Sequence, residues 1–82
     1  MNSEEIDLLS EKIRLQRFKN KKSQEECSKI LNISIPTYRE LEYNPNKLSL
    51  EQALILSEFL DCNLFEFFLK NILQIAIKSI DE

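Results

Sequence analysis

Apolar positions recur along this chain three or four residues apart, and the breaks between runs carry Ser, Asn or Asp, which is the pattern of a helical protein. Ile6, Leu9, Ile13 and Arg17 share one stripe and predict a first helix over about residues 4–19, with a charged residue at the end of its buried face. Residues 20–22 break the pattern. Ser23, with Glu26 three positions on, spells a capping box and opens a second helix. Cys27, Ile30 and Leu31 are its expected buried face, and Ser28 is small enough to let another helix approach. Asn32, which tolerates the left-handed conformation, ends that helix in a tight turn, and Ile33 follows as an apolar plug.

Ser34 is the next N-cap, and Pro36 falls in the first turn of a third helix, where its missing N–H costs nothing. That helix is expected over about residues 35–43, with Tyr38, Leu41 and Glu42 facing inward. Tyr43-Asn44-Pro45-Asn46 reads as a loop. Ser49 and Gln52 form a second capping box for a fourth helix whose apolar face is Leu50, Ala53, Leu54, Leu56 and Leu60. Asn63 and Glu66 start a fifth, over about residues 64–80.

The fifth helix is apolar nearly all round. A chain of 82 residues is expected to form one domain with one modest core, too small to cover such a helix by itself. A second copy of the chain would cover it, so Phe65, Phe68, Leu69, Ile72, Leu73, Ile75 and Ala76 are the expected dimer interface. A helix lying on a membrane surface is the competing reading, but Glu66, Lys70, Asn71, Gln74 and Lys78 do not make the strongly basic face that it needs.

Composition narrows the class. Hydrophobic residues at 43% and charged residues at 30% describe an ordinary globule, and with no glycine and two prolines the tight hairpins of a β fold are hard to build. The expected class is all-α. Residues 1–7 are acidic and lack the features of a signal peptide, so a cytoplasmic protein that does not span a membrane is expected. Without histidine, and with Cys27 and Cys62 both inside apolar runs, no metal site, cofactor or catalytic triad can be assembled. The cysteines read as reduced core thiols, and no enzyme is expected.

The net charge of −3 argues against a generic nucleic-acid binder, but the charge is uneven. Lys12, Arg14, Arg17, Lys19, Lys21, Lys22, Lys29 and Arg39 face only Glu11, Glu25 and Glu26 between residues 10 and 39. Such a run is either a solvated helix face or a site for an anionic partner. Arg17 and Glu42 each stand in a stripe that is otherwise apolar. They are either partners in a buried ion pair or two snorkelling surface side chains.

Taken in order, Ile13-Arg14 with Arg17, Ser23-Gln24-Glu25-Glu26, Asn32-Ile33-Ser34, Pro36-Thr37-Tyr38-Arg39 with Leu41-Glu42, and Leu48-Ser49-Leu50-Glu51 running on to Leu60 resemble the Cro/repressor-type (XRE) helix-turn-helix family of bacteria and phages. The resemblance covers about residues 9–68, with the helix-turn-helix itself at about 23–42. Ser28, Asn32 and Asn44 stand where that family usually has alanine, glycine and glycine.

The resemblance implies a five-helix DNA-binding domain that acts as a homodimer on an inverted-repeat operator in double-stranded DNA. It implies an ion pair between Arg17 and Glu42. With the docking geometry of such motifs, it puts Ile35, Pro36, Thr37, Arg39 and Glu40 at base edges. Lys22, Ser23, Gln24, Ser34, Tyr43, Asn44 and Lys47 are then the expected phosphate contacts. Arg39 can reach guanine O6 and N7 together, or be a solvated residue, or be an intramolecular partner of Glu40 or Glu42. Within the family the short form resembles restriction–modification controller proteins and phage repressors of the Cro kind, and antitoxins that regulate their own operon share the pattern. The alternative is an interaction module of the same fold that sequesters a second protein, a regulator or a toxin, on its apolar last helix.

Overall fold

The computed structural model describes residues 2–66 and 69. Among these, four α-helices and one short 3-10 turn follow one another with no strand: α1 (Ser3–Lys19), α2 (Gln24–Ile30), α3 (Ile35–Tyr43), the turn Pro45–Lys47, and α4 (Leu50–Phe59). Helical backbone resumes at Phe65 and Glu66. Five helices were expected; the rest of the fifth, including Phe68, Ile72, Leu73, Ile75 and Ala76, lies outside the described residues. No helix among the described residues is long and apolar enough to cross a membrane.

Side-chain caps set the helix starts. Ser23 Oγ accepts from Glu26 N–H while Glu26 accepts from Ser23 N–H, and Ser49 and Gln52 repeat the arrangement at α4. Asn2 and Ser34 cap α1 and α3 from one side only.

The helix ends are more unusual, because three of them close in the left-handed conformation without a glycine. Lys21, Asn32 and Asp61 have φ of 55°, 57° and 49°. Each sits between the paired bonds of a Schellman turn: Lys22 N–H to Arg17 O and Lys21 N–H to Phe18 O; Ile33 N–H to Ser28 O and Asn32 N–H to Lys29 O; Cys62 N–H to Ser57 O and Asp61 N–H to Glu58 O. Asn44, by contrast, has φ of −122°, which any residue adopts, so the usual glycine is not required there.

Leu9, Ile13, Cys27, Leu31, Tyr38, Leu41, Leu48, Leu56, Leu60 and Leu64 form the core, with Ala53 and Pro45 also buried. The segment after α3, read from the sequence as a loop, is therefore an ordered turn held by a buried proline. Two faces expected to be apolar and buried are corrected. Ile30 is 45% exposed, and the inner side of α2 passes through Cys27, Ser28 and Leu31 instead. At about 100° per residue that arc centres roughly 105° away from Ile30. Leu50 and Leu54 of α4 are half exposed for the same reason, since Ala53, Leu56 and Leu60 define a narrower stripe. Asn20 ties the two helix ends together, its Nδ2 donating to Gln16 O and to Leu60 O.

Candidate nucleic-acid interface

The turn Leu31–Asn32–Ile33 joins α2 to α3 and leaves α3 with two unlike sides. Tyr38, Leu41 and Glu42 are buried against α1 and α2, whereas Pro36, Thr37, Arg39 and Glu40 are exposed and Ile35 is half-buried. Proline at the start of the helix and the Ser34 cap fix where that exposed side begins. Ser34 Oγ and Thr37 Oγ1 lie 2.7 Å apart, so one hydroxyl hydrogen of the two stays free to donate outward.

Glu42 is the pivot beneath this surface. Its carboxylate receives Arg17 Nε at 2.9 Å and Nη2 at 3.0 Å, a bidentate pair whose side chains are 9% and 4% exposed for Arg17 and Glu42. Those hydrogen bonds and the Glu42 charge push the Arg17 guanidinium pKa up against the effect of burial. Arg17 Nη1 also donates to Lys22 O at 3.3 Å, which ties the end of α1 to the start of α2. Ser10 Oγ donates to the Glu42 carbonyl at 2.7 Å. The Tyr38 hydroxyl is buried in the same region with no hydrogen-bond partner among the described residues, and burial foremost, then the neighbouring Glu42, pushes its pKa far up. Burial also raises the Cys27 thiol.

Around this pivot the expected contact residues fall into two groups. Lys22, Ser23, Gln24, Ile35 and Arg39 line an open groove of about 700 Å³ between the end of α1 and the starts of α2 and α3, together with Arg17, Phe18, Lys21, Glu25 and Glu26. Lys22 stacks its ammonium over the Phe59 ring, 4.7 Å from the centroid. Tyr43, Asn44 and Lys47 lie past the other end of α3. Tyr43 is 72% exposed, and Lys47 Nζ is 2.6 Å from Glu40 Oε1. Lys47 holds the Glu40 carboxyl below its ordinary range. Two residues expected at DNA, one at a base and one at a phosphate, are thus paired with each other in the free protein. Arg39 is paired too, but with neither Glu40 nor Glu42, because its Nε donates to Gln24 Oε1 at 3.0 Å.

Arg14 and Lys21 belong to the basic run seen in the sequence, but neither was expected as a particular DNA contact. Arg14 lies one turn before Arg17 on α1 and lines a small recess of about 120 Å³ with Ser10, Gln24, Arg39, Glu42 and Tyr43. Its signal was available: once Arg17 is placed inward, the residue three before it borders the same side. Lys21 reaches the larger groove because of the Schellman turn, which its residue type does not announce. On another side of the molecule, Phe65 is half-buried beside Leu54, Ser57, Glu58, Asp61, Cys62 and Asn63, and Leu69 is 42% exposed.

Comparison with curated proteins and with solved structures returns no match. A family model described as Helix-turn-helix matches residues 12–67, more than half of the chain, and that family is generally non-enzymatic. Because the match runs through the turn at Asn32 and both of the helices it joins, the chain belongs to the helix-turn-helix family, in its Cro/repressor (XRE) branch, and is a DNA-binding regulator.

Proposed function

We propose that this protein regulates transcription as a homodimer, each copy setting the exposed side of α3 into the major groove of one half of an inverted-repeat operator. The two-sidedness of α3 carries the reading: Tyr38, Leu41 and Glu42 lock one side into the core, and Pro36, Thr37, Arg39 and Glu40 present the other to solvent. In that pose Ile35, Pro36 and the Thr37 methyl meet thymine methyl groups, and Arg39 meets a guanine. Lys22, Ser23, Gln24 and Ser34 meet phosphates at one end of α3, and Tyr43, Asn44 and Lys47 at the other. Glu40 reaches a cytosine once Lys47 exchanges it for a phosphate, an exchange that a solvent-exposed ion pair permits at little cost.

Self-association through Leu69 and Phe65 is supported by the exposed Leu54 of α4, which borders the same recess as Phe65, because apolar side chains that adjoin one another on a surface mark an interface. Capture of a second protein on that surface is the competing reading.

A salt titration separates the two. Lys22 and Lys47 from both copies make four ionic phosphate contacts, so affinity for duplex DNA falls by about 150-fold between 50 and 200 mM salt at a slope of about −3.6. Binding to a protein through apolar residues stays nearly flat over that range. A protein that ignores duplex DNA at the lowest salt and retains a protein ligand at the highest refutes the operator reading.

A further inference from the structure

Gln24 occupies a position that the list of phosphate contacts does not explain. Its amide joins two elements: Oε1 accepts from Arg39 Nε at 3.0 Å on α3, and Nε2 donates to Glu42 Oε1 at 3.4 Å. The orientation of that amide is determined by its neighbours. Arg39 has only donors and the ionised Glu42 only acceptors, so a flipped amide would set donor against donor and acceptor against acceptor. Glu42 in turn is held by two bonds from Arg17 and by burial. A continuous path of hydrogen bonds therefore runs from the buried ion pair to an exposed arginine on α3.

We propose that Gln24 is a positioning residue for base recognition, fixing the Arg39 guanidinium so that its two terminal nitrogens face the DNA. This rests on the operator reading above and assigns Gln24 a part in specificity beyond holding a phosphate. Arg39 spends Nε on Gln24, and no hydrogen bond engages its terminal nitrogens among the described residues. Those two nitrogens are the pair that bonds guanine O6 and N7 together. A long exposed side chain ordinarily loses rotamer freedom on binding, and the Gln24 contact removes part of that loss beforehand. The second Nε2 hydrogen of Gln24 remains for a phosphate, so the two roles are compatible. Arg14 of α1 and Tyr43 of α3 line the same small recess as Gln24 and Arg39.

The test uses the whole chain. Wild type is first used to enrich duplexes from a random pool, and the guanine read by Arg39 is identified as the position where Arg39→Ala loses discrimination. Gln24→Ala is then compared on the enriched site and on all single-base variants of it, with thermal melting as a control for folding. The proposal expects discrimination at that one base pair to drop about tenfold in Gln24→Ala, with the other positions unchanged. It also expects Gln24→Ala added to Arg39→Ala to produce no further loss there. Equal weakening on every sequence, or full additivity of the two substitutions, overturns the positioning role and leaves operator binding intact. A wild-type protein that enriches no sequence overturns the operator reading itself, and this inference with it.

Discussion

Replacing Glu42 by alanine removes the acceptor at the centre of the structure without touching the backbone contact beside it, since Ser10 bonds the Glu42 carbonyl and not its carboxylate. Among the described residues Arg17 then keeps one hydrogen bond, to the Lys22 carbonyl at 3.3 Å, and the Phe18 ring, 4.8 Å from its guanidinium, while its charge stays almost fully enclosed. Orphaning one member of a buried ion pair costs about 3–5 kcal/mol. At the usual stability per residue, 82 residues carry about 4–12 kcal/mol in all, so Glu42→Ala consumes a large share of it. For a domain of this size the melting temperature falls by at least about 12 °C. Thermal denaturation followed by circular dichroism, at one fixed protein concentration because a dimer is expected to melt in a concentration-dependent way, measures this. Arg17→Met combined with Glu42→Leu supplies the control. Removing both charges together restores stability to within about 1 kcal/mol of wild type, because the enclosed charge and not the lost volume is what destabilises the single variant. A Glu42→Ala protein that melts within about 4 °C of wild type refutes the argument that this pair is enclosed and mutually dependent.

The other predictions concern local chemistry. Lys21→Gly stabilises the protein by about 1 kcal/mol, seen as a higher melting temperature, because a lysine at φ 55° bears a Cβ clash that glycine avoids; an unchanged or lower melting temperature contradicts this. Lys47→Ala flattens the salt dependence of DNA binding by about 1.8 per dimer, read from anisotropy titrations; an unchanged slope shows that Lys47 meets no phosphate. Tyr38→Phe is as stable as wild type or more so at neutral pH, since the hydroxyl it removes is buried with no partner among the described residues. The phenol pKa is raised in the fold above its ordinary 10.0, so the unfolded chain releases that proton first and wild type loses stability as pH rises past about 10. Denaturant melts at pH 9 and pH 11 show Tyr38→Phe losing less over that interval; equal losses refute the assignment. Leu69→Asp yields monomers by light scattering and weakens operator binding, whereas a variant that stays dimeric moves the interface off the last helix.

How much of this was legible in the sequence depended on whether a residue announces its own role. Ser23, Ser34 and Ser49 are strong N-caps whose partners stand at fixed spacing, so the starts of α2, α3 and α4 could be read directly. Asn32 is a familiar left-handed residue, but Lys21 and Asp61 are not obvious ones, and their turns depend on helices already packed together. The placement of Ile30 was misjudged because α2 has only seven residues, and over two turns a small serine can occupy the inner side while an isoleucine lies at the edge. At the site, Arg17 and Glu42 stood out as charges in apolar stripes. The bonds from Arg39 to Gln24 and from Lys47 to Glu40 link long exposed side chains on different elements, and no spacing rule in one dimension anticipates them.

Enrichment of duplexes from a random pool by the wild-type protein tests the central claim most directly. The account predicts an inverted repeat whose half-sites lie about 34–36 Å apart, centre to centre, with a guanine in each half that Arg39→Ala ceases to distinguish. A pool that emerges without symmetry, or with a preference untouched by any substitution on the exposed side of α3, contradicts it.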